Sequence, residues 1–210
     1  MHFAREGYPW IFGLGVSTLV LNLLSFQTIG LLFLLLTLFI AFFFRDPERT
    51  APRDERVILS PADGRVVTLE KNLWEARFLA APATRVGIFM SPLDVHVNRV
   101  PISGQVASVH YQPGQFRPAF AADASNVNEQ NAVTIQDAQG RRVLLVQVAG
   151  ILARRIVCAV KGGEYVHQGD RYGMIMLGSR VDVYCPPEVE LRVQIGQRVR
   201  AGETIIGEYP

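Results

Sequence analysis

Cysteine is scarce in this chain of 210 residues: Cys158 and Cys185 are the only two. Two thiols are too few for a disulfide framework and do not stand at metal-ligand spacing, so both read as buried apolar side chains and no metal site is expected. Lysine is equally rare. Neither Lys71 nor Lys161 lies in a Met-Lys-Met setting, which speaks against a lipoyl- or biotin-type carrier arm. An excess of charge of either sign is missing too, with 21 basic against 19 acidic side chains. That balance argues against an electrostatic nucleic-acid binder. Sustained heptads are absent, and with them any coiled-coil arm.

The most localised absence is that of charge between residues 10 and 44, where a run of apolar residues divides at Gln27-Thr28 into halves of 10–26 and 29–44. Charges are costly in lipid, so an uncharged run of this kind points to a membrane. As a helix each half rises about 24–26 Å, somewhat less than a hydrocarbon core of roughly 30 Å. The expectation is an N-terminal transmembrane helical hairpin, tight or shallow, within an anchoring segment 1–49. A single bent span is the alternative. A secretory signal peptide does not fit, because the apolar region is too long and lacks a small-residue cleavage pattern. Arg5, Arg45 and Arg49 flank the run, which puts both ends on the cytoplasmic side of the cell (inner) membrane.

Residues 50–56 form a charged, proline-containing linker, and from 57 to 210 short apolar and β-branched runs alternate with glycine and proline. Strands are expected at 65–69, 86–90, 105–111, 132–136, 142–148, 156–160, 180–184 and 191–194, which makes a mostly β domain. Residues 72–85 read as a short helix or an edge strand, and 112–130 as a long loop. Two internal echoes stand out. Pro61-Ala-Asp-Gly-Arg-Val66 matches Pro101-Ile-Ser-Gly-Gln-Val106, and Gly163-Glu-Tyr-Val-His-Gln-Gly-Asp170 matches Gly196-Gln-Arg-Val-Arg-Ala-Gly-Glu203. The pattern resembles the barrel-sandwich hybrids of biotinyl and lipoyl domains, a likeness of fold alone.

Gly178-Ser179 interrupts what otherwise reads as strand from Gly169 to Tyr184. A glycine there marks a bulge or a close backbone approach, and the next residue carries a hydroxyl that could attack the Gly178 carbonyl. Such an attack needs a base, a group that orients it and donors for the oxyanion. Of the histidines, His96 follows a strand end at Ser91-Pro92 in an irregular polar stretch, where catalytic side chains are often found. His110 continues a strand, His167 sits at a hairpin tip, and His2 precedes the apolar run. Asp63 and Asp94 are both available as carboxylate partners of His96. Asp63-Gly64 is equally good as a turn.

Ser60-Pro-Ala-Asp-Gly64, Met90-Ser-Pro-Leu-Asp-Val-His-Val-Asn-Arg-Val-Pro101 and Tyr172-Gly-Met-Ile-Met-Leu-Gly-Ser179 together resemble the phosphatidylserine decarboxylase family in its short bacterial and archaeal form, from about Phe44 onward. The resemblance implies a proenzyme that cleaves itself between Gly178 and Ser179 through an ester, leaving pieces 1–178 and 179–210. Ser179 then becomes a covalent pyruvoyl cofactor. It further implies that the enzyme decarboxylates phosphatidylserine to phosphatidylethanolamine, with Asp63, His96 and Ser179 catalytic. Arg99, Arg154, Arg155 and Arg180 are the candidates for the headgroup phosphate. Asn128-Glu-Gln-Asn131 resembles a family segment near the active site. Two positions depart from the pattern: Arg99 stands where many relatives have a second histidine, and Arg180 where threonine is common. The expected partners are the lipid substrate, the membrane and the heterodimer of the two products, itself a candidate for pairing, with no nucleic acid. A decarboxylase of an archaeal ether-linked analogue, or a non-enzymatic membrane-tethered barrel-sandwich adaptor, are the competing readings.

Overall fold

A computed structural model describes residues 2–119, 124–150, 155–176 and 178–210. The chain forms two compact units, residues 1–48 and 49–210.

The first unit is a helical hairpin. Helix α1 (Tyr8–Leu23) opens with Pro9 in its first turn, and helix α2 (Gln27–Phe43) follows a turn in which Ser25 takes φ 65°. The hydroxyls of Thr18 and Thr37 meet at 3.4 Å between the helices. Outside the hairpin, His2–Phe3 pairs with Arg45–Asp46. The expectation of a transmembrane hairpin is corrected here: the helices form, but among the described residues no helix is long and apolar enough to cross a membrane. The reason is length, since helices of 16 and 17 residues rise only about 24–26 Å. Their surface is apolar nonetheless, with Phe12 and Leu23 about three-quarters exposed.

The second unit is mostly β, built on a curled eight-stranded antiparallel sheet. Its order is Tyr165–Val166, Gly104–Gln112, Gln130–Gln136, Arg142–Val148, Ser179–Cys185, Ala81–Met90, Gly64–Glu75 and Arg198–Val199. Strands Ile156–Cys158, Arg171–Ile175 and Val97–Arg99 form a second sheet, and Glu190–Leu191, Ile205–Glu208 and Val57–Leu59 a third. Both faces of the central strands are covered. In Arg142–Val148, Val143 and Leu145 enter the main core with Val86, Ile88, Val181 and Val183, whereas Leu144, Val146 and Val148 pack with Ala83, Ala132 and Tyr184. Strand alternation thus explains a nearly unbroken apolar run.

The echoes seen in the sequence pair with one another. Val106 donates its N–H to Glu164 O and accepts at its carbonyl oxygen from Gly163 N–H, both at 2.8 Å, and Val66 repeats this with Gln197 O and Gly196 N–H at 2.9 and 2.8 Å. The two halves also cross, through Leu59 N–H to Pro101 O at 3.1 Å and Arg99 N–H to Pro61 O at 2.9 Å.

Most expected strands are present, and Arg142–Val148 has the expected bounds. The stretch 72–85 differs from its reading as a helix or edge strand. Strands Gly64–Glu75 and Ala81–Met90 run through it as a hairpin, whose turn is held by Phe78 and Leu79 N–H groups donating to the buried Glu75 carboxylate at 2.8 Å. The loop 112–130 contains a short helical turn, Ala124–Val127. Cys185 lies in the main core, and burial pushes its thiol up to about 12. Iodoacetamide at pH 8 is therefore expected to spare Cys185 in the native protein and to alkylate it only after unfolding, as peptide mass mapping would read.

Candidate active site

Ser179 opens the central strand Ser179–Cys185 and is fully buried. The preceding strand, Arg171–Ile175, belongs to the smaller sheet that includes Val97–Arg99, so the chain changes sheets between 175 and 179. Gly178 makes that change at φ +66°, a conformation that L side chains rarely adopt. The break seen in the sequence is thus a crossing between sheets.

Ser179 pairs with Met90, the last residue of the neighbouring strand. Its hydroxyl donates to Met90 Sδ at 3.6 Å, a weak acceptor that leaves the oxygen loosely held. Asn98 Nδ2 donates to the same sulfur at 3.7 Å. Behind it stand buried amides: Gln147 Nε2 donates to Asn98 Oδ1 at 2.9 Å, and Asn131 Nδ2 to Gln147 Oε1 at 3.1 Å. These side chains come from separate strands, and their mutual bonds offset the cost of burying amides.

After Met90 the chain turns through Ser91-Pro-Leu-Asp94. The Asp94 carboxylate accepts from Ser91 N–H at 2.9 Å and from its hydroxyl at 2.7 Å, closing the turn that delivers His96. His96 is fully buried, and its Nδ1 lies 2.9 Å from the Asp94 backbone oxygen. A carbonyl only accepts, so Nδ1 carries the proton and the basic lone pair of the neutral ring is on Nε2. Asp94 therefore orients His96 through its carbonyl, while its carboxylate serves the turn.

Asp63 lies just before the strand Gly64–Glu75, one strand beyond Ala81–Met90 from Ser179. Its carboxylate accepts from Ala201 N–H at 2.8 Å and from Arg49 Nη2 at 2.9 Å. Arg49 also reaches Glu203 at 3.0 Å. Arg99 is nearly buried, donates to Gly169 O at 2.9 Å, and lines a polar cavity of about 540 Å³ with Arg49, Arg53 and Arg171. Arg155 is exposed, and Arg154 lies outside the described residues. His110 is exposed and stacks on Phe78, and His167 is exposed beside Tyr165 and Asp170.

Arg180 is turned away from solvent. Its Nε donates to Asp182 Oδ1 at 2.6 Å and its Nη2 to Thr68 at 2.8 Å. The other Asp182 oxygen accepts from Arg85 at 2.8 Å and from the Ser125 hydroxyl at 2.6 Å. Burial opposes the charge on Arg85, but Asp182 more than offsets it and the guanidinium is held more firmly protonated than usual. A residue at i+2 on a strand shares a face, and this pairing occupies Arg180 within the fold. Asp182→Ala, which leaves the buried Arg180 guanidinium without its carboxylate and Arg85 with Glu70 alone, is expected to cost about 3–5 kcal/mol in urea-induced unfolding.

Gly150 and Asn128 carry no chemistry of their own but shape the site. A Cβ built on Gly150 would lie 1.8 Å from Gly178 O. Asn128 Nδ2 donates to Ala149 O at 2.7 Å, and Ala149 N–H donates to Glu129 O at 2.9 Å. The motif Asn128-Glu-Gln-Asn131 thus contributes at two points, since Asn131 also holds Gln147. Met90, Asn98 and Gln147 gave little sign in the sequence beyond polar amides in apolar strands.

A profile described as phosphatidylserine decarboxylase matches residues 36–207. The phosphatidylserine decarboxylase proenzyme of Geotalea uraniireducens is 47% identical over 207 residues, covering 99% of this chain and 96% of its own. That of Carboxydothermus hydrogenoformans is 48% identical over 204 residues, covering 97% and 94%. That of Syntrophus aciditrophicus is 42% identical over 207 residues, covering 98% and 97%.

Proposed function

The chain belongs to the phosphatidylserine decarboxylase family, and we propose that it cleaves itself at Gly178-Ser179 and then converts phosphatidylserine to phosphatidylethanolamine and carbon dioxide. The observation that carries this reading is a buried serine placed directly after a left-handed glycine at a crossing between sheets, its hydroxyl donating to a weakly accepting thioether.

Ser179 Oγ bonds to the Gly178 carbonyl carbon as the peptide C–N bond breaks, giving an ester and a free amine. His96 Nε2 takes the hydroxyl proton and returns a proton to the departing nitrogen. Loss of the Ser179 α-proton then expels the Gly178 carboxylate. Water replaces the nitrogen, which leaves as ammonia, and residue 179 ends as a pyruvoyl group. Ser179 fits as its precursor because it starts a strand paired on both sides, so the new end stays fixed when the chain is cut. When formed, that group supplies an electron sink for the pair left behind by carbon dioxide. His96 is the proton donor to the carbon that lost its carboxylate.

Arg99 is assigned to the headgroup phosphate because it lines a cavity with other arginines. It stands three residues along an extended strand from His96, roughly 10 Å away. Arg155 and Arg154 remain secondary candidates, and Asp63 fixes Arg49 and the loop at Ala201 while keeping its assignment to orienting or polarising His96. The paired echoes support a barrel-sandwich-hybrid relationship, and the apolar surface of α1 and α2 supports attachment to the cell membrane from its cytoplasmic face by shallow insertion. The functional assembly is the heterodimer of pieces 1–178 and 179–210.

Intact-mass analysis of the purified protein, with and without phenylhydrazine, tests the reading. Two pieces are expected, with a carbonyl-reactive end on the smaller, together with release of phosphatidylethanolamine from phosphatidylserine in mixed micelles. An uncut chain without a carbonyl-reactive end would overturn it.

A further inference from the structure

The site contains a contact that the mechanism above leaves unused. Gly150 approaches Gly178 so closely that a Cβ on it would stand 1.8 Å from the carbonyl oxygen and 3.1 Å from the carbonyl carbon. The hydrogen that occupies the Cβ direction in glycine therefore points at the oxygen of the bond to be cut. Two further features set where Gly150 stands. The preceding residue, Ala149, is clamped through its carbonyl by the buried Asn128 side chain and through its N–H by Glu129 O. Asn128 is itself fixed, because its Oδ1 accepts from Arg117 N–H at 2.9 Å and its Nδ2 also donates to Arg117 O at 2.8 Å.

We propose that Gly150 is a positioning residue for self-cleavage: held by the Asn128 clamp, it seats the Gly178 carbonyl so that the carbonyl carbon faces Ser179 Oγ. The inference rests on the self-cleavage reading and deepens it. Formation of the Oγ–C bond and rupture of the C–N bond require the hydroxyl to approach one face of a planar amide. A peptide turned by a neighbouring side chain presents its edge to the hydroxyl. Gly178, with no side chain of its own at φ +66°, does not resist such a turn, so the orientation must come from outside. Displacement of a reacting group by about 1 Å can cost on the order of 100-fold in rate.

The test is the time course of scission, read by intact mass, in Gly150→Ala. Self-cleavage is expected to slow by about 100-fold or more. Gly150→Ala on the Ser179→Ala background should melt within a few degrees of Ser179→Ala alone, which separates seating from folding. Hydroxylamine, which cuts esters but spares amides, should release no 179–210 piece from Gly150→Ala, because the block precedes the ester. A variant that cleaves within a few-fold of wild type would overturn the proposal, as would full release by hydroxylamine. Ala119 Cβ also lies 3.3 Å from the added carbon, so Gly150→Ala with Ala119→Gly separates the two neighbours. Recovery of cleavage in that double variant would mean the seat is Ala119 and sink the claim. If Gly150→Ala does not fold, Asn128→Ala decides, since it loosens Ala149 without adding bulk: scission about ten-fold slower is expected, and a wild-type rate overturns the proposal. An uncut wild type would instead defeat the self-cleavage reading itself.

Discussion

Ser179→Ala is expected to leave a single chain of 23.3 kDa on a denaturing gel, whereas the wild-type protein should run as two pieces. The contrast is all or none, because no other hydroxyl lies on residue 179 to attack the carbonyl. The substitution is also mild for the fold. The lost hydroxyl donates to a thioether, a weak acceptor, and alanine fits a strand whose ladder runs through Met90. It should unfold in a single cooperative thermal transition, and it should show no reaction with phenylhydrazine. A Ser179→Ala protein that still appears as two pieces would remove the hydroxyl from the mechanism.

The second large effect is expected at His96. His96→Asn retains a donor near the place of Nδ1, able to serve the Asp94 carbonyl, and lacks any counterpart of Nε2. Self-cleavage should fall by about 10²–10⁴-fold, the range for removal of a general base. His96→Ala should lose as much, with partial recovery in added imidazole, which can enter the space vacated by the ring. Recovery distinguishes a proton-transfer role from packing alone. If His96→Asn cleaves at the wild-type rate, another group takes the serine proton.

The sequence made the main strands legible because alternation is strong where both sheet faces are buried, as in Arg142–Val148. The same run of apolar residues was informative about helices in 10–44, yet hydrophobicity alone overstated their reach. The turn between α1 and α2 takes residues that each helix would need to span a bilayer. Ser179 and His96 were visible because each sits at a local irregularity. Their neighbours were not, because Met90, Asn98, Gln147 and Asn131 come from different strands and acquire meaning only when the sheets curl together. Gly150 is the extreme case, since its importance lies in an atom it lacks. Arg180 could have been read more closely: Asp182, two positions along a strand, was the signal that its charge is internal to the fold.

The pairing of Ile205–Glu208 with Val57–Leu59 joins the last strand of the second unit to its first. Arg198–Val199 likewise completes the edge beside Gly64–Arg65. Both closing strands follow Ser179 in the sequence, so a chain that lacks them holds the serine without the completed sheets around it. Contacts of such long sequence separation form late. Scission is therefore expected to depend on these pairings: a chain truncated before residue 205 should keep its serine and stay uncut. Intact mass of a chain truncated after residue 204 should accordingly show no cleavage at Gly178-Ser179.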